Sequence, residues 1–76
     1  MERPEILIDA RGHRCPTPTL ILARALRGRA VGTRLRLLAD DPMARIDVPH
    51  FAAQAGAVIL DISDDRGVLS FLLKVA

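Results

Sequence analysis

The feature that most constrains this chain is its only cysteine, followed by two prolines one residue apart in a Cys-Pro-Thr-Pro stretch at residues 15–18. Proline has no backbone N–H. The first residues of a helix have N–H groups without a partner inside the helix, so proline is tolerated there. We therefore predict a helix that begins at about Pro16, has Cys15 as its N-cap and stops before Gly28.

The predicted position of Cys15 favours a reactive, solvent-facing thiolate. The sulfur would lie at the positive end of the helix dipole and within reach of the N–H of Thr17. Arg11, His13 and Arg14 crowd the same end, and each cation would lower the pKa of the thiol. An inert, buried cysteine is the alternative, but a Gly-His-Arg loop before a Pro-x-Pro helix start is typical of the surface.

The apolar stripe of this first helix predicts which side faces a core. Leu20 falls off the stripe, close to the cysteine end, where it could contact partner proteins. Arg24 and Arg27 are expected to face water. The residues of the stripe follow helical spacing and are Pro18, Ile21, Leu22, Ala25 and Leu26.

The length and composition of the chain predict one soluble domain over residues 1–76. A single cysteine cannot form an internal disulfide, so a hydrophobic core must hold the fold, and 50% hydrophobic with 26% charged residues can supply one. No apolar run has membrane-spanning length, and the first five residues lack the order of a signal peptide. We expect a cytoplasmic protein whose thiol is kept reduced.

Charge is distributed unevenly along the chain. Eight arginines and three acidic residues precede Leu37, whereas three basic and six acidic residues follow Arg36. This polarity could steer an acidic protein or an RNA toward the Cys15 end. With two Phe, no Trp or Tyr and no dense basic run, however, strong direct nucleic-acid binding is not expected, and solvated arginines are the simpler interpretation.

Apolar and alternating segments predict the order β-α-β-α-β-β. Right-handed crossovers would place both helices on one face of a four-stranded mixed sheet, giving a two-layer α/β (α+β) sandwich. In the second helical segment Pro49 would break the helix, so we predict a single turn and then the helix proper. In this segment the single turn is Pro42 to Arg45, the helix proper begins at Asp47 or Val48, and Gly56 closes it. The predicted strands are residues 6–9, 33–39, 58–63 and 69–75, and residues 64–67 form a hairpin turn between the last two strands.

Several polar residues have weaker assignments. His13 could donate to the sulfur or shuttle a proton, or it could be a solvated loop residue. Asp9 and Asp47 could fix the cysteine loop and the second helix by capping bonds. Asp40 and Asp41 are interpreted as turn and cap residues.

The segment around the cysteine resembles the signature of a known family. The segment Asp9 to Pro18 is similar to the signature of the TusA-like (SirA/YedF) sulfur carrier family, in which Cys-Pro-x-Pro opens the first helix after a Gly-x-x loop. Residues 40–42 and 47–51 resemble the second block of that family, and the predicted element order matches its fold. Ile46 and Ala57 depart from the Arg and His that many members carry at these positions.

The resemblance implies that Cys15 receives sulfur as a persulfide from a cysteine desulfurase or a rhodanese-type donor and passes it to an acceptor protein. Known uses of the family are tRNA thiolation, supply to molybdenum-cofactor enzymes and sulfur oxidation. Such a chain is a carrier rather than a stand-alone enzyme. The site would consist of Cys15 supported by Arg11, Gly12, His13, Arg14, Pro16, Thr17 and Pro18.

Two other functions remain open from the residues. In a thiol-based redox-regulatory or adaptor module, Cys15 would form a mixed disulfide or a sulfenic acid without passing sulfur on. An RNA-binding module would not need Cys15 at all. No cofactor is expected beyond the covalent persulfide. One Cys and two His without ligand spacing argue against a zinc site.

Overall fold

The computed structural model describes residues 5–76 and has the predicted order of elements. The expectation about a signal peptide concerns the start of the chain, and residues 1–4 lie outside the described range. The elements are β1 (Glu5–Asp9), α1 (Thr17–Leu26), β2 (Arg34–Ala39), α2 (Ala44–Ala55), β3 (Ala57–Asp65) and β4 (Val68–Val75).

The four strands form one mixed sheet in the order β1-β2-β4-β3, which confirms the predicted fold class. β1 pairs with β2 in parallel, whereas β4 is antiparallel to both β2 and β3. Each parallel connection contains a helix, and Leu22 of α1 and Val48 of α2 are fully buried in one core with the sheet. The carboxyl ends of β1 and β2 therefore lie together, and the loops that follow them are neighbours.

The core alternates along the central strands as the sequence predicts. Leu35 and Leu37 of β2 lie against Leu73 and Phe71 of β4, and all four side chains are fully buried beneath the helices. Residues that alternate with them, such as Arg34 and Arg36, face the opposite side of the sheet. Over residues 5–76, neither helix has the length and hydropathy needed to cross a membrane.

α2 differs from its prediction, because it runs without a break from Ala44 to Ala55. Pro49 lies inside the helix, where it removes only its own backbone donor. The predicted turn exists, with Arg45 N–H donating to the Pro42 carbonyl at 3.2 Å, but it leads directly into the helix. Gly56 closes the helix in the left-handed conformation, with φ of 76°, as expected.

β3 has a bulge that the alternation of its sequence did not predict. The register against β4 shifts between Ile59 and Asp61, so Leu60 is an extra residue. As a result, Ile59 and Ile62 share the helix-covered face, whereas strict alternation would place them on opposite faces. The predicted hairpin is present, with positive φ at Arg66 (54°) and Gly67 (88°), as in a type I′ turn.

Candidate functional site

The loop between β1 and α1 begins with a turn that Asp9 stabilises. The Asp9 carboxylate accepts the backbone N–H of Arg11 at 3.1 Å and two guanidinium N–H groups of the same residue at 2.8 and 2.7 Å. These hydrogen bonds, the side-chain bond first, lower the pKa of Asp9 from 3.8 to about 2. The predicted role of Asp9 in fixing this loop is confirmed, and the charge of Arg11 is paired within it.

Two carboxylates at the end of β2 hold the rest of the loop from the neighbouring strand. Asp40 accepts the N–H of Gly12 at 3.0 and 3.1 Å, and Gly12 has φ of 82°, which favours glycine. Asp41 Oδ2 accepts the N–H of Cys15 at 2.7 Å, while its Oδ1 accepts the N–H of Met43 at 3.0 Å. The Asp-Asp pair thus joins the cysteine loop to the start of α2, beyond the local turn and cap role that the sequence indicated.

The start of α1 differs from the predicted cap. The helix begins at Thr17, one residue later than expected, with Pro16 as N-cap and a cis bond between Cys15 and Pro16. The N–H of Thr17 donates to the carbonyl of Arg14 at 2.9 Å. Because that donor is already used, the prediction that Cys15 caps the helix through its sulfur is wrong.

The electrostatic environment of Cys15 is also the reverse of the prediction. Its side chain is half-buried, and burial raises the pKa of the thiol from 9.0 to about 11. A hydrogen bond with Asp47 in the first turn of α2, the charge of Asp47 and the charge of Asp41 act in the same direction. The free thiol is therefore protonated at neutral pH, and Asp47 contacts the sulfur rather than capping α2 as predicted.

The remaining predicted residues lie around this loop in different settings. His13 and Arg14 are exposed, and with Gly12, Asp40, Asp41 and Pro42 they line a cleft of about 460 Å³ beside the cysteine. Hydrogen bonds from Met43 and Cys15, and then the charge of Arg14, lower the pKa of Asp41. Pro18, the second residue of α1, is fully buried. The roles of His13, Arg14 and Thr17 in sulfur chemistry stay predictions.

Sequence reasoning missed the long-range partners of Cys15, although a signal for them existed. Residues 40–42 follow β2, and residues 10–15 follow β1. The carboxyl ends of parallel neighbouring strands lie at one edge of the sheet. The position of the acidic pair after β2 therefore predicts its contact with the cysteine loop after β1. Among residues 5–76, no group of three or more His, Cys, Asp or Glu side chains is placed to hold a metal ion.

The geometry supports chemistry at one sulfur. The backbone of Cys15 is fixed by Asp41, its side chain reaches the surface, and its sulfur contacts the Asp47 carboxylate, which favours the protonated thiol. The chain has no second cysteine to close an internal disulfide. A reaction of Cys15 with sulfur therefore requires a second molecule.

Comparisons with known proteins agree on one family. A family model described as "Sulfurtransferase TusA" matches residues 6–75. The chain is 32% identical over 71 residues to a "Sulfur carrier protein TusA" of Pseudomonas putida (strain F1), covering 93% of this chain and 89% of that protein. A protein of the same description from Pseudomonas aeruginosa (strain LESB58) is 29% identical over 70 residues, covering 92% and 89%.

The fold is similar to that of a solved structure from the same family. A crystal structure of a SirA-like protein from Desulfitobacterium hafniense superposes with a TM-score of 0.80 at 26% identity. The match covers 93% of this chain and 97% of that one. The resemblance that the Cys-Pro-x-Pro segment suggested is confirmed over nearly the whole chain.

Proposed function

We propose, from the premise that this chain belongs to the TusA sulfurtransferase family of sulfur carriers, that it carries sulfur as a persulfide on Cys15. The observation that carries the proposal is the position of this thiol. Cys15 is the only thiol of the chain, it reaches the surface, and its backbone is fixed by Asp41 while its side chain contacts Asp47.

The loading step exchanges one sulfur–sulfur bond for another. The sulfur of Cys15 attacks the terminal sulfur of a persulfide on the donor, forming a new S–S bond as the S–S bond of the donor breaks. The proton of the Cys15 thiol passes to the departing thiolate of the donor, so the donor cysteine leaves as a thiol. No net oxidation occurs, so neither a cofactor nor a metal is required.

The raised pKa of Cys15 supports a carrier that reacts slowly with free small molecules and faster with a docked partner. A thiol with a pKa of about 11 is mostly protonated at neutral pH, and protonated thiols are slow to oxidise. Redox-sensing cysteines have low pKa values, so the redox-regulatory alternative has weaker support. A docked donor that excludes water and orients its persulfide would favour the transfer.

The chemistry of persulfide transfer indicates the classes of protein that would donate and accept the sulfur. The donor would be a cysteine desulfurase or a rhodanese-type protein, because both present a persulfide on a cysteine. The acceptor would be a second protein thiol, in tRNA thiolation, molybdenum-cofactor supply or sulfur oxidation. A reducing compartment such as the cytoplasm suits a carrier whose thiol must stay free.

Intact-protein mass spectrometry tests the proposal. The chain and its Cys15→Ser variant are incubated with a cysteine desulfurase and free cysteine, and separately with a rhodanese-type donor. We expect a gain of one sulfur atom on the wild type alone, lost again when an acceptor thiol protein is added. A Cys15→Ser variant that gains the same mass, or a wild type that gains none from any sulfur source, would contradict it.

A further inference from the structure

Three large apolar side chains lie exposed around the cysteine end of the molecule. Leu20 is 62% exposed, Ile46 is 64% exposed and Met43 is 51% exposed; together they are called the Leu20–Ile46 surface. In each helix the residue two positions later, Leu22 or Val48, is fully buried. Residues two apart lie on nearly opposite sides of a helix, so Leu20 and Ile46 both point outward from the helical layer.

The two side chains lie at the same height in the fold. α1 and α2 follow the parallel strands β1 and β2 and pack on the same face, so their first turns lie at the same edge of the sheet. Leu20 is the fourth residue of α1, and Ile46 is the third residue of α2. They therefore form one surface across the two helices.

This surface borders Cys15 on each side. The N–H of Leu20 donates to the carbonyl of Pro16, the residue after the cysteine, at 3.1 Å. Ile46 immediately precedes Asp47, whose carboxylate contacts the thiol. The N–H of Met43 is held by the same Asp41 carboxylate that holds the N–H of Cys15. Each of the three apolar residues is thus linked to Cys15 through a hydrogen-bonded or adjacent residue.

We propose that the Leu20–Ile46 surface docks the sulfur-donating protein, and that this partner offers an apolar socket with an acidic rim beside its persulfide. The inference rests on the proposed function, because transfer requires two sulfur atoms to touch. Since Cys15 is half-buried, a protein that reaches its sulfur must also cover the side chains around it.

The charges around the surface define the rim of the partner. Arg14 precedes the cysteine, and Arg24 lies one turn after Leu20; both are exposed. Over residues 17–26 and 44–55 the helices contain one acidic residue, Asp47, whose carboxylate contacts the thiol. Beside Arg14, the carboxylates of Asp40 and Asp41 accept backbone N–H groups of the cysteine loop and of Met43. A partner with carboxylates around its socket complements this charge. Nucleic acid fits less well, since aliphatic side chains offer no ring on which bases stack.

Ile46 contributes to the choice of partner through its own chemistry. Its side chain is aliphatic and 64% exposed, so a donor whose socket accepts an aliphatic side chain gains contact area there, whereas a polar or charged socket does not.

The experiment measures loading of Cys15 with two kinds of sulfur donor. One is inorganic polysulfide, which needs no docking surface, and the other is a protein donor, a persulfide-bearing cysteine desulfurase or rhodanese-type protein. The test variant is Leu20→Gln combined with Ile46→Gln, which keeps size and charge. The matched control is Leu7→Gln, since Leu7 is 65% exposed but lies on the sheet face without helices.

We expect the double variant to be loaded by polysulfide at the wild-type rate and by the protein donor at least about tenfold more slowly. The control should match the wild type with both donors. In the wild type, added salt or the substitution Arg24→Glu should slow loading by the protein donor, whereas Arg34→Glu, on the sheet face without helices, should not.

The outcomes separate this inference from the proposed function. Equal protein loading of the double variant and the Leu7→Gln control would overturn the docking surface and leave the carrier function intact. Loading by polysulfide but by neither protein donor would overturn the docking surface together with the assigned donor classes. Absence of loading from polysulfide as well would overturn the carrier function itself.

Discussion

The carboxylate of Asp41 accepts the backbone N–H of Cys15 at 2.7 Å, across 26 residues of sequence. The bond joins the loops that follow β1 and β2, two parallel neighbours whose carboxyl ends lie at one edge of the sheet. The position of Cys15 therefore depends on an acidic side chain outside its own motif.

Removal of this acceptor should loosen the cysteine loop. In Asp41→Ala the N–H groups of Cys15 and Met43 both lose their partner, so we expect a lower urea midpoint and faster hydrogen exchange at the Cys15 amide. Asp41→Asn keeps one oxygen acceptor and should have a smaller effect. Asp61→Ala, on the sheet face without helices, is the control. Unchanged exchange at Cys15 in Asp41→Ala would show that the bond does not hold the loop.

The thiol of Cys15 should titrate at unusually high pH. Burial, Asp47 and Asp41 raise its pKa to about 11, so the rate of alkylation by iodoacetamide should rise with a midpoint near 11 rather than near 9. Asp47→Asn removes a negative charge beside the sulfur and should move the midpoint toward 9, with faster alkylation at neutral pH. Asp61→Asn should leave the profile unchanged, and a wild-type midpoint below 9 would refute the assignment.

Acid should weaken the fold through Asp9. Its pKa in the folded chain is about 2, against an ordinary value of 3.8, so the carboxylate form is favoured by folding. Its contribution is complete above about pH 4 and is lost as the pH falls through 2. We expect Asp9→Asn to be less stable than the wild type at pH 7, with a difference that shrinks as the pH falls from 4 to 2. Urea midpoints measured from pH 7 to pH 2 provide the test, and parallel curves would contradict it.

Local patterns were sufficient to predict much of the fold. The alternation of Leu35 and Leu37 identified β2 and its buried face, and the stripe through Leu22 identified the inner side of α1. Gly56 and Gly67 marked a helix end and a hairpin, because both need positive φ. Each of these features depends on residues within a few positions of one another.

Features that depend on tertiary contacts could not be predicted in this way. The sequence indicated that Pro49 would divide α2, yet burial of Val48 and Ala52 in the core compensates for one missing backbone bond. The bulge at Leu60 is fixed by pairing with β4. The pKa of Cys15 is raised first by burial and then by Asp47, a residue 32 positions away, and only folding supplies both.

Substitution by alanine should lower the stability of the protein much more at Leu22 than at Leu20. Leu22 is fully buried in the core, so Leu22→Ala should lower the free energy of unfolding by about 2–5 kcal/mol through lost burial and the cavity it leaves. Leu20 is 62% exposed, so Leu20→Ala should change stability by less than about 0.5 kcal/mol. Urea denaturation of the two variants measures both values.

The variants Leu20→Ala and Leu22→Ala also distinguish an effect on stability from an effect on docking of the donor. If Leu20 contacts the donor, Leu20→Ala should slow protein loading of Cys15 at full stability. Leu22→Ala should load at the wild-type rate at temperatures where it remains folded, because its side chain does not reach the surface. An unchanged urea midpoint for Leu22→Ala would contradict the core assignment. A Leu20→Ala variant that loses stability as Leu22→Ala does would show that its exposed side chain serves the fold and not the partner.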